Sequence, residues 1–323
     1  MNALLTCVSH GPALMRPMPE TDMHPHVVEA YAARARALAA FDPELVIICA
    51  PDHYTGVHLQ MVPPFCIAFG ATAVDDYGGA PGRLDVARDL ASECLAAVRA
   101  ADIDVAASHD MTVDHGFSQP LQLLAGAIDR YPTIPVLINT TCRPLSSFRR
   151  VRMLGEAIGA FAAGLGKRVA FIASGGLSHH PANIFPQDLA AVPDELRSYL
   201  VHGGMGGGLD RDAWIAQLGA RTVLGGEMVM RGERTASDFR LNPAWDEAFL
   251  ARYATGDFAA FDDWEPAWVI EQAGVAAMEV QQWICAGAAA TRCGAGAIST
   301  DFYSARAEYR LAIGVAHADP AAA

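Results

Sequence analysis

Residues 44–54 read ELVIICAPDHY. Glu44 is followed by six consecutive apolar residues, and the run stops at a Pro-Asp-His turn. A strand with one wetted face alternates apolar and polar residues. An unbroken apolar run of this length marks a strand covered on both faces, as in a parallel sheet between helical layers. The same texture recurs at residues 3–9 (ALLTCVS), 134–140 (IPVLINT) and 168–174 (RVAFIAS), and more weakly at 61–70 and 103–108. An alanine-rich amphipathic stretch at 26–41 and further stretches at 83–101, 116–129 and 146–166 separate them and read as helices. Strands alternating with helices predict an α/β class protein, a layered sandwich around a central mixed, largely parallel sheet.

Beyond residue 180 the pattern changes. HGGMGGG (202–208) breaks the chain, residues 210–290 read as mainly helical, and RLAIGVA (310–316) is a last strand candidate. We read one domain over 1–323: an α/β core (1–180), a mainly helical C-terminal elaboration (181–300) and a closing strand (301–317). The N-terminal loop HGPALMRPMPETDMHP (10–25) has no periodicity of its own.

Composition narrows the chemistry. Twenty-three Lys and Arg against 36 Asp and Glu leave a formal charge of −13, so there is no basic field to displace counterions from nucleic-acid phosphates. With 52% hydrophobic and 18% charged residues, the chain is not of the disordered class. No run approaches the ~18 apolar residues of a membrane span, and the N-terminus lacks a signal peptide's basic and apolar regions, so a cytoplasmic protein is expected. The seven cysteines are scattered with no CxxC pair, as expected of reduced, buried thiols. A metal ion here would be held by histidines and carboxylates.

Several of the eleven histidines come directly after strand candidates. His10 follows ALLTCVS, His53 comes after ELVIICA, His115 stands shortly past the strand at 103–108, and His179 is reached from RVAFIAS through a Gly-Gly turn. In open α/β sheets ligands bind at the carboxyl ends of the strands, so these four can converge although they are distant in sequence. His24, His26, His58, His109, His202 and His317 lack this placement and are read as surface or satisfied core residues; His180 stays open beside His179. Two imidazoles and one carboxylate on one face of an ion suit Fe(II) and O₂ chemistry. Glu271 and Glu279 are both available on the late helix. Glu279 lies in the more apolar stretch, AAMEVQQW (276–283), where an unpartnered carboxylate is costly. Asp52 and Asp114, each preceding a histidine, can orient an imidazole or cap a helix. Tyr54 is a candidate for the pocket wall, and NPAWD (242–246) reads as a helix-capping turn.

The runs CVSHGPAL (7–14), APDHYTG (50–56), VDHGFSQPL (113–121), RMLGEAIGAF (152–161), SGGLSHH (174–180) and LNPAWD (241–246) resemble the class III extradiol dioxygenases, the superfamily of the protocatechuate 4,5-dioxygenase β subunit. PPFCIAFGATA (63–73) narrows the likeness toward the branch acting on propionate-bearing catechols. The resemblance implies an Fe(II)-dependent enzyme that opens a 3-substituted catechol with O₂, foremost 2,3-dihydroxyphenylpropionate and its cinnamate analogue, in aromatic catabolism. By motif, His10, His53 and Glu279 would hold Fe(2+), and His115 and His179 would be the acid and base. Relatives on this branch form homo-oligomers, so a homo-oligomer is expected.

Three rivals remain at this level. One is the same chemistry on another catechol, since no pattern places an Arg or Lys to receive a side-chain carboxylate, Arg306 in FYSARAEY (302–309) included. Another is a zinc hydrolase, because the same His/His/Glu set binds zinc. The third is a binding module that has lost catalysis.

Overall fold

The computed structural model describes residues 2–11, 14, 21–181, 189–205 and 207–321. Half of the N-terminal loop read at 10–25 (residues 12, 13 and 15–20), and residues 182–188 of the elaboration, lie outside the described residues.

The apolar runs form the strands they predict. β1 (Asn2–Val8), β9 (Arg168–Ser174), β2 (Leu45–Ala50) and β8 (Thr133–Ile138) lie side by side in that order, all parallel. They are the centre of an eight-stranded mixed sheet ordered β10-β11-β1-β9-β2-β8-β3-β6. β3 (Phe65–Ala68) runs antiparallel to β8 and parallel to β6 (Ala106–Ser108). Alternate residues of the central strands enter two separate cores. Leu5, Cys7, Ile47, Cys49 and Phe171 face one side of the sheet, and Leu4, Val8, Val46, Ile48 and Ile172 face the other. This two-sided burial is why the runs are continuous rather than alternating.

Helices α1 (His24–Phe41) and α3 (His115–Ala125) cover one face, while α2 (Arg88–Ala100), α4 (Phe148–Gly164) and α9 (Val280–Arg292) cover the other. Between them in sequence come α5 (Asp194–His202), α6 (Arg211–Met230), α7 (Pro243–Ala254) and α8 (Pro266–Ala273). None of the described helices is long and apolar enough to cross a membrane. All seven cysteines are unpaired and buried.

The structure departs from the sequence reading at residues 83–87 and 301–317. Residues 83–87 are not helical: Gly82–Arg83 is strand β5, which with β4 (Ala71–Ala73) and β7 (Met111–Val113) forms a second, three-stranded sheet. These strands are too short to show a period. The closing strand read at 301–317 is a hairpin of β10 (Ser299–Arg306) and β11 (Leu311–Ala318). β10 is an exposed edge and carries no apolar signal. HGGMGGG falls between α5 and α6, with residue 206 outside the described set.

The glycines of LGEAIG let α4 and α9 approach closely. A Cβ on Gly155 would stand 2.2 Å from the Cys285 carbonyl oxygen, and one on Gly159 2.3 Å from that of Ala289. Helix propensity alone makes Ala better than Gly by ~1 kcal/mol. We expect the opposite sign for Gly155→Ala, a loss of about 1–3 kcal/mol from overpacking against backbone, measured as a lower midpoint of urea unfolding. An unchanged or higher midpoint would show that the two helices separate freely.

Candidate metal and acid–base site

The carboxyl ends of β1, β9 and β2 meet at the middle of the sheet, and each delivers one part of a buried cluster. His10 lies two residues past β1 and His53 three past β2, both buried. After β9 the chain turns through Gly175 and Gly176 against Glu279, which ends a 3₁₀ turn at Val275–Glu279 and leads into α9. A Cβ on Gly175 would lie 2.7 Å from Glu279 Cβ, and one on Gly176 2.6 Å from the His179 ring. The Gly-Gly pair is therefore a requirement of close approach. The Gly176 N–H then donates to Glu279 Oε2 at 2.6 Å.

The donor atoms converge. His10 Nε2 is 3.3 Å from His53 Nε2, His53 Nε2 is 3.4 Å from Glu279 Oε1, and His10 Nε2 is 3.8 Å from Glu279 Oε2. Two nitrogens each about 2.1 Å from one ion at ordinary angles stand ~3.0–3.4 Å apart. Neighbours fix which ring nitrogen faces inward. The Ser174 hydroxyl donates to the Gly116 carbonyl, so His10 Nδ1–H donates to Ser174 Oγ at 2.8 Å and its Nε2 keeps the lone pair. His53 Nδ1 donates to Asp114 Oδ2 at 2.9 Å, which turns Nε2 inward. Three acceptors thus meet in a buried space. Without a metal ion they must repel or trap a proton.

The titration behaviour reflects this crowding. Burial lowers His10 to about 3, despite the pull of Glu279. Burial also acts against charge on His53, but Asp114 and Glu279 outweigh it and raise its pKa well above the usual range, so His53 takes up the proton. Burial would raise Glu279, yet His10, His53 and His179 bring it down to about 2. A cation at the convergence point replaces that one proton, as metal uptake at histidine and carboxylate sites does. The residues fit such an ion.

A second set of donors is close by: ring nitrogens of His10, His53 and His115 lie within 4.8 Å of one another. The His53 and His115 rings are stacked, with centroids 4.3 Å apart and planes at 24°. Imidazole lone pairs lie in the ring plane, and two nearly parallel planes do not meet within bonding distance of both rings. His10 and His53 are nearly perpendicular, at 79°, which lets their planes cross on one ion. The geometry therefore favours His10, His53 and Glu279 as the ligands and leaves His115 beside them.

His115 and His179 both line the cleft that opens from this cluster. His115 Nδ1 is tied to the Asp76 carboxylate, and Tyr77 meets its ring edge-on at 4.7 Å. His179 Nδ1–H donates to the Leu177 carbonyl at 2.9 Å, so Nε2 is its acceptor nitrogen, 4.0 Å from Glu279 Oε1.

The open readings resolve one by one. Asp114 is both cap and orienter: Oδ1 accepts the Gly116 N–H at the start of α3, and Oδ2 holds the His53 N–H and ring. Burial opposes its charge, but His53, His115 and these hydrogen bonds hold its pKa well below the carboxylate range. Asp52 instead accepts the N–H groups of Thr55, Gly56 and Val57 and closes a turn; burial and the nearby Asp114 raise it to about 7. His180 Nδ1 accepts the Val275 N–H at 3.1 Å and anchors the turn that carries Glu279. Asn242 caps α7 as read from NPAWD, while Asp246 beneath it holds Ser178. Tyr54 does not line the cleft; its hydroxyl packs at Thr141 and Cys142. Arg306 pairs with Asp22 and Glu308, outside the cleft lining. His24, His26, His58, His109, His202 and His317 are absent from the lining too.

Sequence reading misses Asp76, Ser174 and Arg310. Asp76 comes after the short strand β4, and its run VDDYGG (74–79) carries the signal of an acidic pair at a strand end. Ser174 looks like an ordinary strand terminus. Arg310 lies in the turn of a hairpin that the sequence pattern does not reveal.

Residues 4–308 match the family model described as the catalytic LigB subunit of aromatic ring-opening dioxygenase. Among curated proteins, the chain is 42% identical to a 2,3-dihydroxyphenylpropionate/2,3-dihydroxicinnamic acid 1,2-dioxygenase of Rhodococcus sp over 315 residues, 98% of either chain. It is 40% identical to the protein of that name from Paraburkholderia xenovorans (strain LB400), covering 100% of this chain and 99% of the other. It is 43% identical to the one from Mycolicibacterium gilvum (strain PYR-GCK), covering 94% of each.

Proposed function

The chain belongs to the family of catalytic LigB subunits of aromatic ring-opening dioxygenases, and from that membership we propose that it is an Fe(II)-dependent extradiol enzyme acting on a 3-substituted catechol with a propionate side chain. The 2,3-dihydroxyphenylpropionate and 2,3-dihydroxycinnamate named for its relatives are the candidate substrates. The observation that carries the proposal is the convergence of His10 Nε2, His53 Nε2 and the Glu279 carboxylate, 3.3, 3.4 and 3.8 Å apart.

His10 Nε2, His53 Nε2 and a Glu279 oxygen would hold the ion at the inner end of the cleft. Bound there, Fe(II) supplies the electron transfer between catechol and O₂ that neither performs alone. The remaining residues handle protons. His179 Nε2, with its other nitrogen committed to Leu177, takes the proton from a catechol hydroxyl as the diol binds. His115, held at Nδ1 by Asp76, gives a proton from its other nitrogen to an oxygen of O₂ as the O–O bond breaks, both atoms ending in the ring-opened product. Asp76 is a positioning residue; burial raises its pKa and the His115 ring only partly offsets this.

The same ligands suit zinc, so the test must separate the metals. Protein purified without oxygen and loaded with Fe(II) should consume O₂ with 2,3-dihydroxyphenylpropionate and form a yellow ring-opened product, and the zinc-loaded protein should do neither. Absence of O₂ uptake with every catechol tried would end the dioxygenase reading. We further infer that the protein is cytoplasmic, folds as one domain and works as a homo-oligomer; Leu224 and Met230, exposed on α6, suit an interface between copies.

A further inference from the structure

The cleft is chemically two-ended. One end is the cluster of His10, His53 and Glu279. The other is built where the β10–β11 hairpin meets α6: Tyr309, Arg310 and Leu311 on one side, Thr222 on the other, with Tyr77 between the ends. Arg310 is the one Lys or Arg among the described residues lining the cleft. Its position is set by topology. β11 runs antiparallel to β1, so β11 begins at the end of the sheet where β1 delivers His10. The 3₁₀ turn Ala307–Tyr309 ends at Arg310 in the left-handed region, φ 61°. The guanidinium Nη1 donates to the Thr222 carbonyl at 2.6 Å, which fixes it against α6.

A guanidinium fixed in the cleft of a chain carrying a net charge of −13 needs a reason. Arginine presents a planar fork that matches a carboxylate with two parallel hydrogen bonds. The intervening wall of Tyr77, Tyr309 and Leu311 is apolar enough for an aromatic ring and a short carbon chain. We propose that Arg310 receives the side-chain carboxylate of the catechol, so that the substrate is held by its diol at one end and by its acid at the other. This rests on the extradiol reading above and assigns the residue that sets its preference for acidic substrates.

The experiment compares wild type with Arg310→Gln and Arg310→Lys in the Fe(II)-loaded enzyme, using 2,3-dihydroxyphenylpropionate and the uncharged 3-propylcatechol. Dissociation constants are measured without oxygen, and kcat and KM with it. A hydrogen-bonded charge pair of this kind contributes roughly 10–100-fold. We expect Arg310→Gln to reduce the preference for the acid over the neutral catechol by that factor, in Kd and KM rather than kcat. Arg310→Lys should recover part of it, as a charge without the fork. Equal losses on both substrates would make Arg310 only a strut for α6 and overturn the proposal, as would an unchanged preference. Failure of the wild type to open either catechol would instead refute the functional reading.

Discussion

Replacing His53 by Ala is expected to remove the metal and the activity together, and His10→Ala to do the same. Each imidazole is oriented by a separate device, Asp114 for His53 and Ser174 for His10, so loss of one ring leaves no spare donor to turn inward. Metal content after anaerobic loading should fall from about one ion per chain to near zero. Ring opening should fall by on the order of 10³-fold or more, since a bound ion contributes several kcal/mol to the barrier. Glu279→Gln is the sharper case. It keeps the shape of the side chain but loses the charge that balances a divalent ion, and metal content should fall with it. The competing ligand set gives the contrary result: if His115 were the third ligand, Glu279→Gln would keep its metal and His115→Gln would lose it. Metal analysis of these variants decides between the two sets.

The second large effect separates holding the ion from moving protons. In His115→Gln and His179→Gln the three proposed ligands are untouched, so metal content should stay at the wild-type level. Glutamine keeps a hydrogen-bonding group but cannot relay a proton at neutral pH. Each variant should therefore lose ~10²–10⁴-fold in kcat, with anaerobic catechol binding much less affected. Retention of near wild-type kcat in either variant would remove that histidine from the proton pathway. Loss of metal in either would move it among the ligands.

These assignments are readable in the sequence to unequal depth, for physical reasons. Buried parallel strands announce themselves because both faces must be apolar, and a residue just past the end of such a strand is placed by topology alone. His10 and His53 are legible in this way. Glu279 is legible from the cost of a carboxylate among AAMEVQQW, although only the fold shows that the Gly175–Gly176 turn brings it to the histidines. Asp76 and Ser174 act through partners 39 and 164 residues away, and no local pattern encodes such pairings. Arg310 is hidden by β10, whose exposed residues carry no strand period. Without that strand there is no hairpin, and without the hairpin no turn to point into the cleft.

Asp114 divides its two oxygens between two tasks, one on the first turn of α3 and one on His53. Any change there is read twice. Asp114→Ala would loosen a helix end and misaim an imidazole in the same stroke, so a stability screen and an activity screen would flag the same position for unrelated causes. A protein wired in this way has no means of letting its scaffold drift at that point while its chemistry stays put, because a single side chain answers to both.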